Sequence, residues 1–519
     1  MKKKHSEQII EQAGGDWNPQ LISNYRQLNY LPESITSRVH LTELDLNYNQ
    51  LRTLPKSIEN LLNLTELKLC ENQLTSLPRN IGNLSKLITL DLGHNKLNKL
   101  AKNIGNLSKL EWLSLCYNQL TSLPENIVNL TNLNYLYLGS NQLSSLPDNI
   151  GNLVNLITLD LYGNQITALP LSICNLTNLK MLCLPDNQLT DLPDSDYHIS
   201  SLISLTELSL SMNKFTFVPD SISNLINLTE LSLFRNQLNS LPDNIGNLTN
   251  LTELLLFDNQ LTSLPESIGN LTNLTELLLF DNQLISLPDN IGNLNNLSTL
   301  YLSNNQLTNL PESIGNLNNL SSLWLNNNQL TNLPESIGNF RSLNTLYLDF
   351  NQLVDLPESI VNLTKLTTLD INGNPLTDLS LLQYLPSLKT VTFLNVELQR
   401  RYWTKLSSWK AEWLLDEDNM EIRRTLIEAI GYEKIFEELD SFTIDSWREY
   451  TLLKIANIEN IYGFGWEPIG TEAMLLLRMI CPSTGHTHVL RVPPAMVSAK
   501  DAIVWVNHGI HPDRFAVQT

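Results

Sequence analysis

The sequence predicts an α/β solenoid with a parallel β-sheet on its concave face, followed by a small α+β domain. A 23-residue unit recurs through most of the 519-residue chain, and each unit contains an alternating Leu-x-Leu segment typical of a short strand. Six of the nine tryptophans lie after residue 400, where the repeat has ended, which indicates a core of another kind. We therefore divide the chain into an N-terminal segment with a degenerate capping repeat (1–40), a solenoid of fifteen intact repeats and a degenerate last coil (41–398), and a C-terminal α+β domain (399–519).

Each element of the unit has a physical role. In one central unit, Leu254 and Leu256 point to the same side of a short strand, and the residue between them points to the other. Pro265 begins the return segment, because proline fixes φ and donates no hydrogen bond. Ile268 and Leu271 then supply apolar side chains from the convex side. One coil cannot bury these side chains alone, so neighbouring coils must stack.

An asparagine marks the end of every strand segment. Fifteen of these asparagines are spaced 23 residues apart, except for one gap of 26 between Asn187 and Asn213. The amide side chain carries donors and an acceptor, which suits it to bind backbone groups of a buried turn. The predicted structural ladder is Asn49, Asn72, Asn95, Asn118, Asn141, Asn164, Asn187, Asn213, Asn236, Asn259, Asn282, Asn305, Asn328, Asn351 and Asn374.

The repeat is irregular at both ends and at one internal point. In the first coil Arg26 stands where the asparagine belongs, and in the last coil Val396 does. Terminal coils must present a polar edge, so we expect both to act as caps. The three-residue insertion lies within residues 194–201 and is expected to form a bulged loop on the convex side.

These motifs resemble the leucine-rich-repeat superfamily over roughly residues 18–398. The likeness is to the 23-residue Leu-Pro-x-x-Ile type, found in Ras-group-related intracellular proteins of plants and animals and in many bacterial proteins. The resemblance implies a right-handed horseshoe and a protein-interaction role, usually through the concave face.

The C-terminal segment is similar to a domain of cyanobacterial proteins that often follows leucine-rich repeats and has no assigned function. From the residues themselves we expect an α+β domain packed against the end of the array. Its predicted elements are a helix bearing Trp403, Leu406, Trp409 and Trp413, a helix over 419–430 ended by Gly431, a strand over 446–455, a hairpin of 473–481 and 486–492, and a helix over 498–507 capped by Ser498.

One cluster in this segment could carry chemistry. Cys481 could act as a nucleophile with His486 or His488 as its base, which would make the protein a repeat-targeted enzyme. Cys481 and His488 could instead bind zinc together with His508 and His511. The third interpretation is a small buried cysteine beside surface histidines, and on that basis we expect no enzyme activity, metal or cofactor.

Composition restricts the partners. The formal net charge is −20, and an acidic surface repels nucleic acid and anionic membranes. The chain has no apolar run of roughly 18 residues that could span a membrane, and its N-terminal lysines precede no signal-peptide core. The five cysteines are odd in number and are interpreted as reduced thiols. We expect a cytoplasmic scaffold that binds a basic or mixed-charge protein partner.

Aromatic and acidic residues occupy strand positions that face away from the core. Interfaces are enriched in aromatic rings, and acidic neighbours favour a partner with lysine or arginine. We expect the rings on the strands to face solvent, whereas Phe234, Phe257 and Phe280, after the strands, could be structural or partner-binding. The predicted partner-binding residues are Trp112, Tyr135, Tyr137, Glu230, Glu253, Glu276, Tyr301, Trp324 and Tyr347.

Overall fold

The chain forms two compact units, the first of residues 1–352 and 362–366 and the second of residues 353–361 and 367–519. The division at residue 398 between solenoid and C-terminal domain stays a prediction, because the second unit contains the last coils as well. The computed structural model describes residues 19–24, 27–193, 199–417, 419–438, 441–447, 450–458, 472–480, 487–492 and 496–506.

The first unit is a solenoid whose strands form a parallel sheet, as the sequence predicts. Each three-residue strand pairs with the strand of the next coil, so that Glu253 lies opposite Glu276, 23 residues further on. The strands are β1 (Gln20–Ile22), β2 (Glu43–Asp45), β3 (Glu66–Lys68), β4 (Thr89–Asp91), β5 (Trp112–Ser114), β6 (Tyr135–Tyr137), β7 (Thr158–Asp160), β8 (Met181–Cys183), β9 (Glu207–Ser209), β10 (Glu230–Ser232), β11 (Glu253–Leu255), β12 (Glu276–Leu278), β13 (Thr299–Tyr301), β14 (Ser322–Trp324) and β15 (Thr345–Tyr347).

The return segments of the coils are short 3-10 helices. Pro265 precedes one of them with φ −68° and ψ 150°, and Ala101, which replaces the usual proline, adopts nearly the same conformation at −64° and 135°. The 3-10 helices of the repeats are Glu33–Ser37, Lys56–Asn60, Ile81–Asn83, Lys102–Asn106, Glu125–Asn129, Ile150–Asn152, Leu171–Asn175, Ile199–Ser201, Asp220–Asn224, Ile245–Asn247, Glu266–Asn270, Asp289–Asn293, Glu312–Asn316, Glu335–Asn339, Glu358–Asn362 and Ser380–Tyr384.

The ladder asparagines are buried and bind the main chain of their own coil and of the coil before. The Oδ1 atom of Asn259 accepts the N–H of Leu238 at 3.1 Å, and its Nδ2 atom donates to the carbonyl oxygens of Leu233 and Leu256, each at 3.0 Å. Asn213 makes the equivalent bonds across the longer gap, to Leu189 N–H and Leu184 O, each at 2.9 Å. The insertion therefore leaves the register of the ladder intact.

Return segments of adjacent coils pack so closely that they require glycine. A Cβ atom on Gly105 would lie 1.9 Å from the main-chain oxygen of Asn126 in the next coil, and one on Gly269 would lie 2.3 Å from that of Asn290. Real side chains never come so close to a backbone atom. This contact explains the glycine that follows isoleucine in most units.

In the second unit a hairpin follows the last parallel pair of strands. Strand β16 (Thr368–Asp370) pairs in parallel with β17 (Thr390–Phe393), and β17 pairs antiparallel with β18 (Val396–Glu397). The two linking residues, Leu394 and Asn395, have φ values of 51° and 65°. Positive φ at both central residues is the signature of a tight hairpin turn, so the chain reverses where Val396 replaces the ladder asparagine.

The tryptophan-rich segment after β18 does not form the predicted single helix. It consists of two 3-10 helices, Arg400–Tyr402 and Leu406–Ser408, and a one-turn helix α1 (Trp413–Asp416). Trp403 and Trp409 are buried, and their indole N–H groups donate to the carbonyl oxygens of Leu398 at 3.2 Å and Tyr402 at 3.1 Å. The tryptophans therefore recur at near-helical spacing although they lie on irregular main chain, where their indole groups bind carbonyl oxygens.

The remaining elements form an α+β arrangement. Helix α2 (Met420–Ile430) ends at Gly431, as predicted, and the side chain of Asn419 caps its N-terminus. Helix α3 (Tyr432–Glu438) follows. A four-stranded antiparallel sheet contains β19 (Ser441–Trp447), β20 (Tyr450–Ile458), β21 (Glu472–Ile480) and β22 (Thr487–Val492), and α4 (Ala499–Val506) completes the order.

Two predictions for this sheet are confirmed and one is wrong. Strands β21 and β22 form the predicted hairpin, and the Oγ atom of Ser498 accepts the N–H of Asp501 at 3.1 Å, as an N-cap does. The single strand predicted over residues 446–455 is instead the end of β19 and most of β20, which pair with each other.

Candidate interaction surface

The sheet face of the first unit is the surface formed by the first and third residues of each strand and the second and third residues after it. The central leucine of each strand points inward and is buried, as Leu254 is. Parallel pairing without offset places equivalent residues of successive coils side by side, for example Glu230 beside Glu253. Side chains of one type at one position therefore form rows across the strands.

An aromatic row crosses six coils of the sheet face. Its ring centroids are separated successively by 4.3, 4.4, 6.4, 4.9 and 4.1 Å. The first three rings are nearly parallel, and the last three are tilted against their neighbours. The row consists of Phe234, Phe257, Phe280, Tyr301, Trp324 and Tyr347.

The strand rings are half-buried, and the expectation that they face open solvent is wrong in this respect. Trp324 lies between the rings of Tyr301 and Tyr347, and Trp112 lies beside Tyr137, so most of the residues predicted for binding also pack against one another. The Nε1 atom of Trp324 is buried and has no hydrogen-bond partner. Phe350, after β15, is 52% exposed, so the ring most open to solvent in this part of the face lies beyond the strand.

An acidic row runs beside the aromatic row. Glu207, Glu230, Glu253 and Glu276 are the first residues of β9 to β12 and pair directly with one another. Burial and the charges of Glu253 and Glu207 raise the pKa of Glu230 above its ordinary value. Glu207 was not among the predicted partner-binding residues. The three-residue insertion before β9 interrupts the 23-residue spacing just before Glu207. The β8–β9 register, in which Met181 lies opposite Glu207, restores it to the row.

The acidic row has no cation, in contrast to the glutamate pair at the N-terminal end of the sheet. There Glu43 and Glu66 are also neighbours, and the Nζ atom of Lys68 lies 3.0 Å from Glu43 and 2.8 Å from Glu66. Within the part of the chain that the structure describes, no lysine, arginine or histidine comes within ion-pair distance of the acidic row. Four adjacent carboxylates are thus left uncompensated.

The N-terminal half of the sheet face carries a second aromatic group. Trp112 and Tyr137 lie 5.7 Å apart at a tilt of 52°, and Tyr135 is the strand neighbour of Trp112. Burial raises the pKa of Tyr137. A shallow depression of about 340 Å³ opens beside Trp112 and Tyr135 and also involves Lys68, Asp91 and Glu111.

The residues of the enzyme hypothesis lie almost entirely outside the described residues. Cys481, His486, His508 and His511 lie outside the described residues, and of His488 only the main chain, opposite Met479 in the β21–β22 pair, is described. Among the residues that the structure places, no group of three or more His, Cys, Asp or Glu side chains could hold a metal.

The four described thiols are poor nucleophiles. Among the described residues, Cys70, Cys116, Cys174 and Cys183 form no disulfide, and burial raises the pKa of Cys116 to about 12. Within the described ranges, no helix is long and apolar enough to cross a membrane.

Two family models match most of the chain. The model described as "Leucine-rich repeat region" matches residues 56–136, 116–231 and 314–464. The model described as "Leucine Rich Repeat" matches residues 40–61, 227–248, 250–271 and 296–317. A search of curated proteins found no match.

Several solved structures are similar to the chain. A leucine-rich-repeat protein of Leptospira interrogans is 33% identical, with a TM-score of 0.59, over 75% of this chain and 98% of that one. YopM of Yersinia enterocolitica is 26% identical, with a TM-score of 0.51, over 72% and 83%. The Toll–Spatzle complex of Drosophila contains a chain that is 25% identical, with a TM-score of 0.61, over 70% and 53%.

Proposed function

Because this chain belongs to the leucine-rich-repeat family, we propose that it binds a basic or mixed-charge protein through the sheet face of its solenoid, the face predicted to be concave. The family consists largely of binding proteins, and the similar Toll chain forms a complex with Spatzle. The proposed contact residues are the acidic row and the aromatic row of coils with β9 to β15.

The uncompensated acidic row is the observation that carries this proposal. Like charges on directly paired strand positions destabilise a sheet, and here four of them are adjacent. The protein neutralises the equivalent Glu43–Glu66 pair with Lys68, the third residue of β3. On β10 and β11 that position holds Ser232 and Leu255. A partner with lysine or arginine side chains would supply the missing charge.

The aromatic row supplies the apolar part of such a contact. Aromatic residues are enriched in interface cores, and the edges of stacked rings expose apolar surface without a further loss of conformational freedom. A half-buried Trp324 whose Nε1 atom lacks a partner fits a contact surface that a second protein completes. The acidic row would steer a basic partner to it.

The formal net charge of −20 argues against nucleic acid and anionic membranes as partners. We place the protein in the cytoplasm, which suits the reduced thiols of Cys70, Cys116 and Cys183. The proposal assigns no enzyme activity.

The test combines crosslinking with matched charge reversals. A photo-crosslinking residue at Leu255, which lies between Glu253 and Phe257 in the chain and is half-buried, captures the partner in cells, and the purified partner is then titrated against variants. Glu230→Lys with Glu253→Lys should slow association at least tenfold at low salt, because surface charges act mainly on encounter. The control, Glu125→Lys with Glu266→Lys, makes the same charge change in two exposed 3-10 helices.

The control variant should associate within about twofold of the wild-type rate. Equal slowing by both variants would mean that net charge, rather than the sheet face, governs binding. Capture from a convex position but not from Leu255 would move the binding surface elsewhere.

A further inference from the structure

We propose that the depression beside Trp112 and Tyr135 is a cation pocket that takes the guanidinium group of an arginine side chain. The pocket belongs to the sheet face but lies on β3 to β6, apart from the acidic row on β9 to β12. The inference deepens the proposed function and rests on it for the source of the arginine. Its test uses a single capped amino acid and does not require the partner.

Strand register builds the pocket from neighbouring coils. Thr89, Trp112 and Tyr135 are the first residues of β4, β5 and β6 and lie side by side. Lys68 and Asp91 are the third residues of β3 and β4 and also pair directly. The volume of about 340 Å³ is at the lower end of the range for ligand pockets and is sufficient for one long side chain.

The charge of the pocket favours a cation. Its one cationic wall, Lys68, is already held by Glu43 at 3.0 Å and Glu66 at 2.8 Å and has little attraction left for an anion. Asp91 and Glu111 form no ion pair within the described part of the chain. The pocket therefore offers two carboxylates without a cationic partner.

Asp91 is held in place within the pocket. Its Oδ1 atom accepts the N–H of Gly93 at 3.0 Å, which fixes the carboxylate at the end of β4. Burial nevertheless raises its pKa, because water is displaced from the charged group. A bound guanidinium would offset that cost.

The aromatic wall selects arginine among cations. A guanidinium is planar, stacks on an indole or phenol ring and still directs N–H donors to carboxylates in its plane. The pocket is lined by the rings of Trp112 and Tyr135 and by the carboxylates of Asp91 and Glu111. Lysine could use the carboxylates but would gain less from the rings, because its charge is a compact, strongly hydrated point.

The experiment titrates N-acetyl-arginine methylamide into the full chain and follows binding by saturation-transfer NMR of the ligand. The matched controls are the same derivatives of citrulline, which keeps the shape without the charge, and of lysine. We expect the arginine derivative to bind at least tenfold more tightly than the citrulline derivative and more tightly than the lysine derivative. Trp112→Leu and Glu111→Gln should each weaken it several-fold, and Trp324→Leu, in the other aromatic group, should leave it unchanged.

Three other outcomes overturn the proposal. Equal binding of the citrulline derivative would show that charge is not recognised. Free arginine that binds tenfold more tightly than the capped form would assign the pocket to a free amino acid rather than to a protein side chain. An unaltered signal in a folded Glu111→Gln variant and a folded Trp112→Leu variant would place the binding elsewhere. Loss of partner binding in the acidic-row variants with normal binding of the capped arginine would separate the two proposals.

Discussion

Replacing one ladder asparagine, Asn259→Ala, tests the physical basis of the solenoid. The side chain accepts one main-chain N–H, from Leu238, and donates to the carbonyl oxygens of Leu233 and Leu256 at 3.0 Å and of Phe257 at 3.4 Å. Alanine removes all four contacts at a site that is only 8% exposed. Buried main-chain groups of two coils then lose their partner.

The expected cost is about 3 kcal/mol of the free energy of unfolding. The unpaired N–H of Leu238 accounts for about 1–3 kcal/mol, and each short bond to a carbonyl contributes roughly 0.5–1.5 kcal/mol. We expect the total loss of stability to lie near the lower end of these contributions added together, because water can reach part of the space that the asparagine side chain leaves. The matched control is Asn273→Ala in the next coil, which removes one exposed hydrogen bond to Thr249 O at 2.8 Å and should cost below about 1 kcal/mol.

Urea denaturation and amide hydrogen exchange measure the two effects. Asn259→Ala should lower the urea midpoint without changing the slope, and it should speed exchange at the amide of Leu238 more than at coils far along the array, since repeats interact with nearest neighbours. Equal loss of stability in the two variants, or unaltered exchange at Leu238, would refute the hydrogen-bond explanation.

Three further predictions concern packing, pH and chemistry. Gly105→Ala should lower the free energy of unfolding by about 1–3 kcal/mol, because the added Cβ atom would collide with the main-chain oxygen of Asn126. Ser223→Ala, at the same place in another coil, should lower it less, and the urea midpoints of the two variants test the difference. Although burial by itself raises the pKa of Glu417, hydrogen bonds from Tyr402, Asn419 N–H and Arg401 lower it below the ordinary 4.5. Its stabilisation is therefore complete above about pH 4.5 and lost as pH falls through the folded pKa, so the stability difference between wild type and Glu417→Gln should vanish in acid; a constant difference from pH 7 to 3 would contradict this. Cys481→Ala should leave partner binding and cellular effect intact if the protein is a scaffold, and loss of the effect with binding retained would favour the enzyme hypothesis.

The core of the solenoid could be predicted from the sequence because every coil has the same environment. Leu254 and its equivalents 23 residues away meet the same neighbours, so one physical argument applies to all of them. The small lapses are also accounted for by local chemistry: Ala101 adopts the backbone conformation of the proline it replaces. The C-terminal part lacks this repetition, and its predictions succeeded only where a local signal exists, such as Asn419 and Gly431 at the ends of α2.

The two errors in that part have a common cause. Neither the near-helical spacing of Trp403, Leu406, Trp409 and Trp413 nor the strand-like segment 446–455 specifies the elements that form. Which one forms depends on contacts distant in sequence, such as the indole of Trp403 on Leu398 O or the pairing of β19 with β20. Periodicity in a short window carries no information about such partners.

The candidate surface could be located from the sequence but not described in full. The strand positions of Glu230 and Trp324 follow from alternation, whereas the half-burial of the rings and the membership of Glu207 follow only from the register of neighbouring coils. The absence of a cation beside the acidic row could not be predicted from the sequence either, because an ion pair can form between coils: Lys68 compensates Glu43 from the next coil.

The repeat itself explains where functional information lies in this protein. Core leucines and, in the intact repeats, ladder asparagines are needed in every coil, so they do not distinguish one coil from another. The sheet face has no such requirement: its first strand position holds glutamate in β9 to β12, threonine or serine in β13 to β15, and Trp112 in β5. Residues that stability leaves free, and that in the acidic row even oppose it, are the ones through which a partner can be selected.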